Sequence, residues 1–200
     1  MTSRVPRVKR KGRPAAPESG EVLVSARRIA RRLDALAREV EEAFAGQRGR
    51  WRPTSRTLHP KRGGPLVVVG VLKGAFVFTA DFVRKLRVPH RVEFVRVRSY
   101  RGKTRGRVRV EGNVAGIRGR DVLVLDGVLD TGRTLRAVLR RLEQSQPRRL
   151  KVCALLRKRR PGQLAVPLDF VGFEIPDVFV VGYGMDCAEE GRNFQDIVVL

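Results

Sequence analysis

Cysteine, histidine and tryptophan are scarce in this chain, and each scarcity narrows what it can be. Its two cysteines, Cys153 and Cys187, have no metal-ligand spacing, which argues against a disulfide scaffold or a cysteine-ligated zinc module and fits reduced thiols in a cytoplasm. The two histidines, His59 and His90, both sit beside prolines, and neither joins a serine or cysteine constellation. Histidine-based nucleophilic catalysis therefore has no support. The single tryptophan, Trp51, stands among basic residues and prolines and reads as a loop pin, with a base-stacking platform as the alternative. No apolar run approaches the roughly 20 residues of a membrane span, and the basic N-terminus lacks the apolar segment of a secretory signal. Acidic residues are also in deficit, with 20 Asp and Glu against 43 Lys and Arg, a formal net charge of +23.

What is present points to one globular domain. Two hundred residues with 42% hydrophobic content can bury a substantial core. The excess positive charge would attract polyanions, whether nucleic acid, an anionic membrane or diphosphate substrates; an unspecialised basic surface is the plain alternative. Residues 1–20 carry Arg4, Arg7, Lys9, Arg10, Lys11 and Arg13 with three prolines and one acid, so they read as a disordered basic arm. Residues 21–200 form the domain. Val22–Val24 leads through Ser25, a candidate N-cap, into a helix whose apolar face is Ile29, Leu33, Leu36, Val40 and Phe44. Gly46 to Pro65 reads as a long connection.

The most informative stretch is Val122-Leu123-Val124-Leu125-Asp126-Gly127-Val128-Leu129-Asp130-Thr131-Gly132-Arg133-Thr134. Four consecutive apolar residues predict a strand buried on both faces, as in a parallel sheet. Leu135, Val138, Leu139 and Leu142 then recur at helical spacing. A strand, a short polar loop and a helix aim unpaired helix N–H groups above the sheet edge. Thr131, Gly132, Arg133 and Thr134 can wrap a phosphate with backbone amides and two hydroxyls, with Gly132 allowing close approach. Asp126 and Asp130, just upstream, suit hydroxyl groups, a proton in transit or Mg²⁺. A site for a phosphate and a polyol together points to a ribose phosphate.

Asp-x-x-x-Asp-Thr-Gly-x-Thr after an apolar strand resembles the phosphoribosyl diphosphate (PRPP) motif of the type I phosphoribosyltransferases. Further stretches resemble their hypoxanthine-guanine branch. Leu66–Val71 followed by Leu72-Lys73-Gly74 resembles the branch's diphosphate loop, in which the peptide bond matching Leu72–Lys73 can be cis. A strand over 92–97 followed by Ser99 and Tyr100 resembles the start of its mobile loop over the reacting centre. Lys158 matches the lysine that reads the purine 6-oxo oxygen. In the run from Asp169 to Asp186, Phe179 matches the residue that stacks on the base and Val180 the one that offers main-chain groups to its edge. Asp186 matches an acid serving the base edge or Mg²⁺, and Arg192 the arginine that holds diphosphate.

The resemblance implies an α/β fold, a mainly parallel central sheet flanked by helices, with a small hood from the N- and C-terminal segments. It implies transfer of the phosphoribosyl group of PRPP to N9 of a 6-oxopurine (hypoxanthine or guanine) with Mg²⁺, in a dimer or tetramer. Asp130 is the expected general base; Lys73, Gly74, Ser99, Tyr100, Asp126, Thr131, Gly132, Arg133, Thr134 and Arg192 are the expected PRPP contacts. Two rivals share the fold: a regulator that binds nucleic acid and a catalytically silent nucleotide sensor. Separately, the basic arm and the basic loop after Tyr100 are expected to bind RNA or DNA weakly and without sequence preference. Gly127 departs from the branch pattern, which has a second carboxylate there. The expectation is weaker PRPP binding, which Gly127→Asp would tighten.

Overall fold

A sheet covered on both faces needs strands with no polar side, and three stretches of this chain meet that demand. The structure, a computed structural model, describes residues 20–44, 64–99, 108–112 and 114–200. In chain order its elements are β1 (Val22–Val24), α1 (Ala26–Phe44), β2 (Leu66–Leu72), α2 (Phe76–Val83), β3 (His90–Ser99), β4 (Val108–Glu111), β5 (Asp121–Leu129), α3 (Arg133–Glu143), β6 (Arg149–Lys158), β7 (Phe170–Ile175), β8 (Val180–Val181) and β9 (Ile197–Val199). Alternate residues of the three central strands serve different cores. Leu66 and Val68, Leu123 and Leu125, and Cys153 and Leu155 face α1 and α2. Val67 and Val69, Val122 and Val124, and Val152 and Ala154 face α3.

The main sheet has six strands in the order β4-β3-β2-β5-β6-β7, all parallel except the β3–β4 pair. β1, β9 and β8 form a separate three-stranded antiparallel sheet, so the two chain ends build the hood together. The basic arm before Gly20, most of the 46–65 connection with Trp51 and His59, and Tyr100 with the loop after it lie outside the described residues.

Helix ends follow their surroundings. Ser25 takes the position before α1, and its carbonyl accepts from Ile29 N, but the first helical N–H is met by Asp196, Ala26 N donating to Oδ1 at 2.6 Å. α2 ends at Val83, where Arg84 to Leu86 turn the chain toward Pro89. α3 has no side-chain cap at its N-terminus, where Gly132 sits at φ 79°. A cap contributes about 1 kcal/mol, whereas each of the buried Leu135, Val138, Leu139 and Leu142 contributes about 1.5–3 kcal/mol. Packing therefore holds α3 without a side-chain cap from Gly132.

At the opposite pole, Asp121 starts β5 fully buried. Arg148 donates to it from Nε at 2.9 Å, and Arg149 donates Nε at 3.0 Å and Nη2 at 2.7 Å. Arg149 also donates to the carbonyls of Ala43 and Phe44, tying the end of α1 to the sheet.

Candidate active site

β2 and β5 are neighbours, and the chain leaves them in opposite directions, β2 toward β3 and β5 toward β6. In such sheets the crevice at this switch, above the carboxyl ends of the strands, is where ligands bind. A cavity of about 310 Å³ lies there, lined by Leu72, Gly74, Asp126, Val128, Thr134 and Met185 among others. It brings together residues from the diphosphate-type loop, the acidic strand end and the phosphate-type loop. A larger groove of about 770 Å³ runs between α1, α2 and the 192–195 segment. Its walls are mainly apolar, with Ile29, Leu33, Phe76 and Phe194, and it holds none of the acidic or Thr-Gly residues of the strand ends.

The 131–134 loop joins the end of β5 to α3. Thr131 Oγ1 accepts from Arg133 N at 3.4 Å, and Arg133 and Thr134 are exposed. Gly132 is required twice: its φ is left-handed, and a Cβ would stand 2.9 Å from the Leu164 carbonyl. Leu164 N in turn donates to the Thr131 carbonyl at 3.0 Å, so the 160–166 segment backs the loop.

β5 runs four residues further than its apolar run indicates, which places Asp126 and Gly127 inside the strand. Asp126 is buried, and desolvation pushes its carboxyl up to about 7 against hydrogen bonds from the Gly127 and Val128 amides. Gly127 faces the Lys73-Gly74 loop. A Cβ there would stand 2.8 Å from the Gly74 carbonyl oxygen, and one at Gly184 would stand 3.1 Å from the same atom. Two glycines thus sandwich the Gly74 peptide, while the space beside Gly74 itself is open. This geometry argues against the expectation that Gly127→Asp tightens PRPP binding, since the Gly74 peptide occupies the room a side chain would need. The Leu72–Lys73 peptide is cis, as the resemblance implied.

Across the β5–β6 register, Leu129 pairs with Arg157, so Asp130 and Lys158 meet at the next step. Lys158 is buried; its Nζ donates to Asp130 Oδ2 at 3.2 Å and lies 6.0 Å from the centre of the exposed Phe179 ring. Arg160 Nη1 donates to Asp130 Oδ1, and its Nε lies 3.6 Å from Asp177 Oδ2. Burial pushes the Asp130 carboxyl up, but the hydrogen bonds and charges of Arg160 and Lys158 outweigh it and hold the group below its ordinary value. Gln163 Nε2 donates to the carbonyls of Asp130, Leu129 and Lys158, fixing the backbone beneath. Val180 is buried and pairs with Val199 in the hood sheet.

A second cluster joins Lys73 to the C-terminal hairpin. Glu189 Oε2 accepts from Lys73 Nζ at 2.7 Å and from Arg192 Nη2 at 2.9 Å. Arg192 Nη2 also lies 2.8 Å from Asp186 Oδ1, and Glu189 N donates to Asp186 Oδ2 at 2.9 Å. The hydrogen bonds from Lys73 and Arg192 hold the Glu189 carboxyl down near 2. Ser99 closes β3. Arg160, Gln163, Asp177 and Glu189 escape a reading of the sequence, although Arg160 is visible as part of the Arg157–Arg160 basic run.

A sheet-edge crevice with a Thr-Gly loop, a buried acid beside it and an exposed ring next to a lysine–aspartate pair can accommodate a phosphorylated sugar and a flat heterocycle. The phosphoribosyl transferase domain family matches residues 54–188, and the chain belongs to that family. It is 37% identical to a hypoxanthine-guanine phosphoribosyltransferase of Aquifex aeolicus over 183 residues, 90% of this chain and 94% of the relative. Over 131 residues, 64% of this chain and 73% of the relative, it is 45% identical to a hypoxanthine phosphoribosyltransferase of Haemophilus influenzae. Among solved structures it is similar to a mutant hypoxanthine phosphoribosyltransferase from Trypanosoma cruzi in a ternary substrates complex, with TM-score 0.79, 33% identity and coverage of 91% and 95% of the two chains.

Proposed function

We propose that this protein is a purine-salvage enzyme, a hypoxanthine-guanine phosphoribosyltransferase that transfers the 5-phosphoribosyl group of PRPP to N9 of a 6-oxopurine. The observation that carries this reading is the Asp130–Lys158 pair beside the Phe179 ring, next to the 131–134 loop. Phe179 stacks on the base, Val180 offers main-chain groups to its edge, and Lys158 donates to the 6-oxo oxygen. An ammonium donates but cannot accept, so it favours an oxo over an amino group. As N9 bonds to carbon 1 of the ribose, the C1–O bond to diphosphate breaks with its electrons, and the N7 proton passes to Asp130 as general base.

The remaining residues position and stabilise charge. Thr131, Gly132, Arg133 and Thr134 hold the 5′-phosphate, and Asp126 takes a ribose hydroxyl. Lys73, Gly74 and Arg192 take the diphosphate, with Ser99 and Tyr100 opening the loop over the centre. No group of three or more His, Cys, Asp or Glu side chains suited to a metal occurs among the described residues. That fits Mg²⁺, which uses one or two carboxylates together with substrate phosphates and water. Asp186 would hold it, and the ion would neutralise charge on the departing diphosphate.

No helix among the described residues is long and apolar enough to cross a membrane, and a cytoplasmic setting suits the free thiols of Cys153 and Cys187. Nucleic-acid association is a second reading, favoured by the exposed arginines of α3. The purified protein should convert hypoxanthine or guanine with PRPP to the nucleoside monophosphate. Asp130→Asn should lower kcat by roughly 10²–10⁴ with little change in PRPP affinity; native turnover in that variant would remove Asp130 from its role.

A further inference from the structure

Arg160 has no part in the chemistry assigned above, yet it holds one of the two oxygens of the proton-accepting carboxylate. Its Nη1 donates to Asp130 Oδ1, while Lys158 Nζ occupies Oδ2 at 3.2 Å. Binding of a base asks different things of these two cations. Lys158 lies beside the Phe179 ring, so a 6-oxo oxygen stacked there draws its ammonium away from Asp130. Arg160 is held from two sides, because its Nε also faces Asp177 Oδ2 at 3.6 Å.

Strand register explains that second hold. Lys158 pairs with Ile175, and Arg159 N donates to the Ile175 carbonyl, so Arg160 leaves β6 level with Asp177. A planar guanidinium with donors along its fork can serve two carboxylates at once; a single ammonium serves them less well. Asp130 Oδ1 therefore keeps its partner when Oδ2 loses Lys158 to the base.

We propose that Arg160 is a positioning residue for the transfer reaction: tethered to Asp177, it anchors Asp130 Oδ1 so that Oδ2 is presented to the purine N7 proton. The inference rests on the base assignment made for Asp130 above. The charged groups facing Asp130 are Lys158 at the end of β6 and Arg160 just after it, with Asp177 behind Arg160. Gln163 meets only the backbone carbonyl. Since both cations hold the Asp130 carboxyl below its ordinary value, removing one lets it rise. A protonated Asp130 cannot take the N7 proton, so the acid side of the rate profile should move toward neutral pH.

The test measures kcat/KM for hypoxanthine, with PRPP in excess, across acid to neutral pH in the native protein, Arg160→Met, Arg160→Lys and Asp130→Asn. Arg160→Met should lose on the order of 10²-fold in kcat/KM, the cost of an ångström-scale misplacement, and its acid limb should shift upward while KM for PRPP holds. Arg160→Lys should restore the acid limb, since the charge returns, but only part of the rate. A purely structural Arg160 would lower the melting temperature and leave the acid limb in place. If Arg160→Met keeps the native rate, or loses rate without moving the limb, the proposal is overturned. If Asp130→Asn itself turns over normally, the base assignment fails, a result distinguishable from failure of Arg160 alone.

Discussion

Gly127 shows how one residue can reverse a reading based on pattern. By the branch pattern it is a missing carboxylate, lost from the ribose contact. In the structure its hydrogen faces the Gly74 carbonyl, 2.8 Å from where a Cβ would stand, and Gly184 closes the other side of the same atom at 3.1 Å. The obstacle is backbone, which cannot swing aside as a flexible side chain can. Any side chain at 127 must push the Lys73-Gly74 loop away from β5. Gly127→Ala should therefore raise KM for PRPP, and Gly127→Asp should do so at least as much, with kcat less affected. Steady-state kinetics with varied PRPP decide this. A lower KM in Gly127→Asp would restore the ribose-contact account and show that the loop moves freely.

Elements were easier to read than the pairings between them. Asp121 illustrates the gap: it lies at the start of an apolar strand, and nothing local marks it as fully buried beneath two arginines. Breaking a fully buried pair costs about 3–5 kcal/mol; here Asp121 is buried but both arginines keep about a third of their side chains in solvent, so the loss is smaller. Asp121→Asn should lower the melting temperature while leaving kcat per folded molecule near native, because the site lies at the other end of β5. Arg148→Met should cost less, since Arg149 still pairs. Thermal unfolding of both variants checks the order. β2, β5 and α3 were legible because buried strands and amphipathic helices write their period into adjacent residues. So was the 131–134 loop, whose parts are contiguous. The Asp130–Lys158 pair spans 28 residues and follows from the β5–β6 register, which no local pattern contains. Arg160 with Asp177 and Glu189 with Lys73 depend on strand neighbours and loop paths in the same way.

At the scale of the whole molecule, a net charge of +23 becomes informative only through its placement. Most exposed basic side chains on the sheet edges and the C-terminal hairpin have acidic partners, as Arg98 with Glu111, Arg159 with Glu174 and Lys73 with Glu189. On α1, Arg32 pairs with Glu39, and Asp34, Glu41 and Glu42 share the helix with its arginines. α3 differs. Arg133, Arg136, Arg140 and Arg141 are exposed, and none forms an ion pair with another described residue. Arg133, Arg136 and Arg140 follow at i, i+3 and i+7 on the side opposite the buried Leu135, Val138, Leu139 and Leu142. None of the exposed large apolar residues, among them Phe76, Phe94, Phe179 and Phe194, lies on this helix. The ridge thus has charge to offer the phosphates of a polyanion. Arg136→Glu with Arg140→Glu should weaken binding of a single-stranded RNA of arbitrary sequence. Each arginine that neutralises a phosphate of a single strand adds about 0.7 to the slope of log K against log salt, so the double variant should flatten it by roughly 1.4. Turnover of hypoxanthine should stay native, because neither arginine belongs to the site. Absence of RNA binding at low salt, or a slope the double variant leaves unchanged, would make the ridge a solvated face and nothing more.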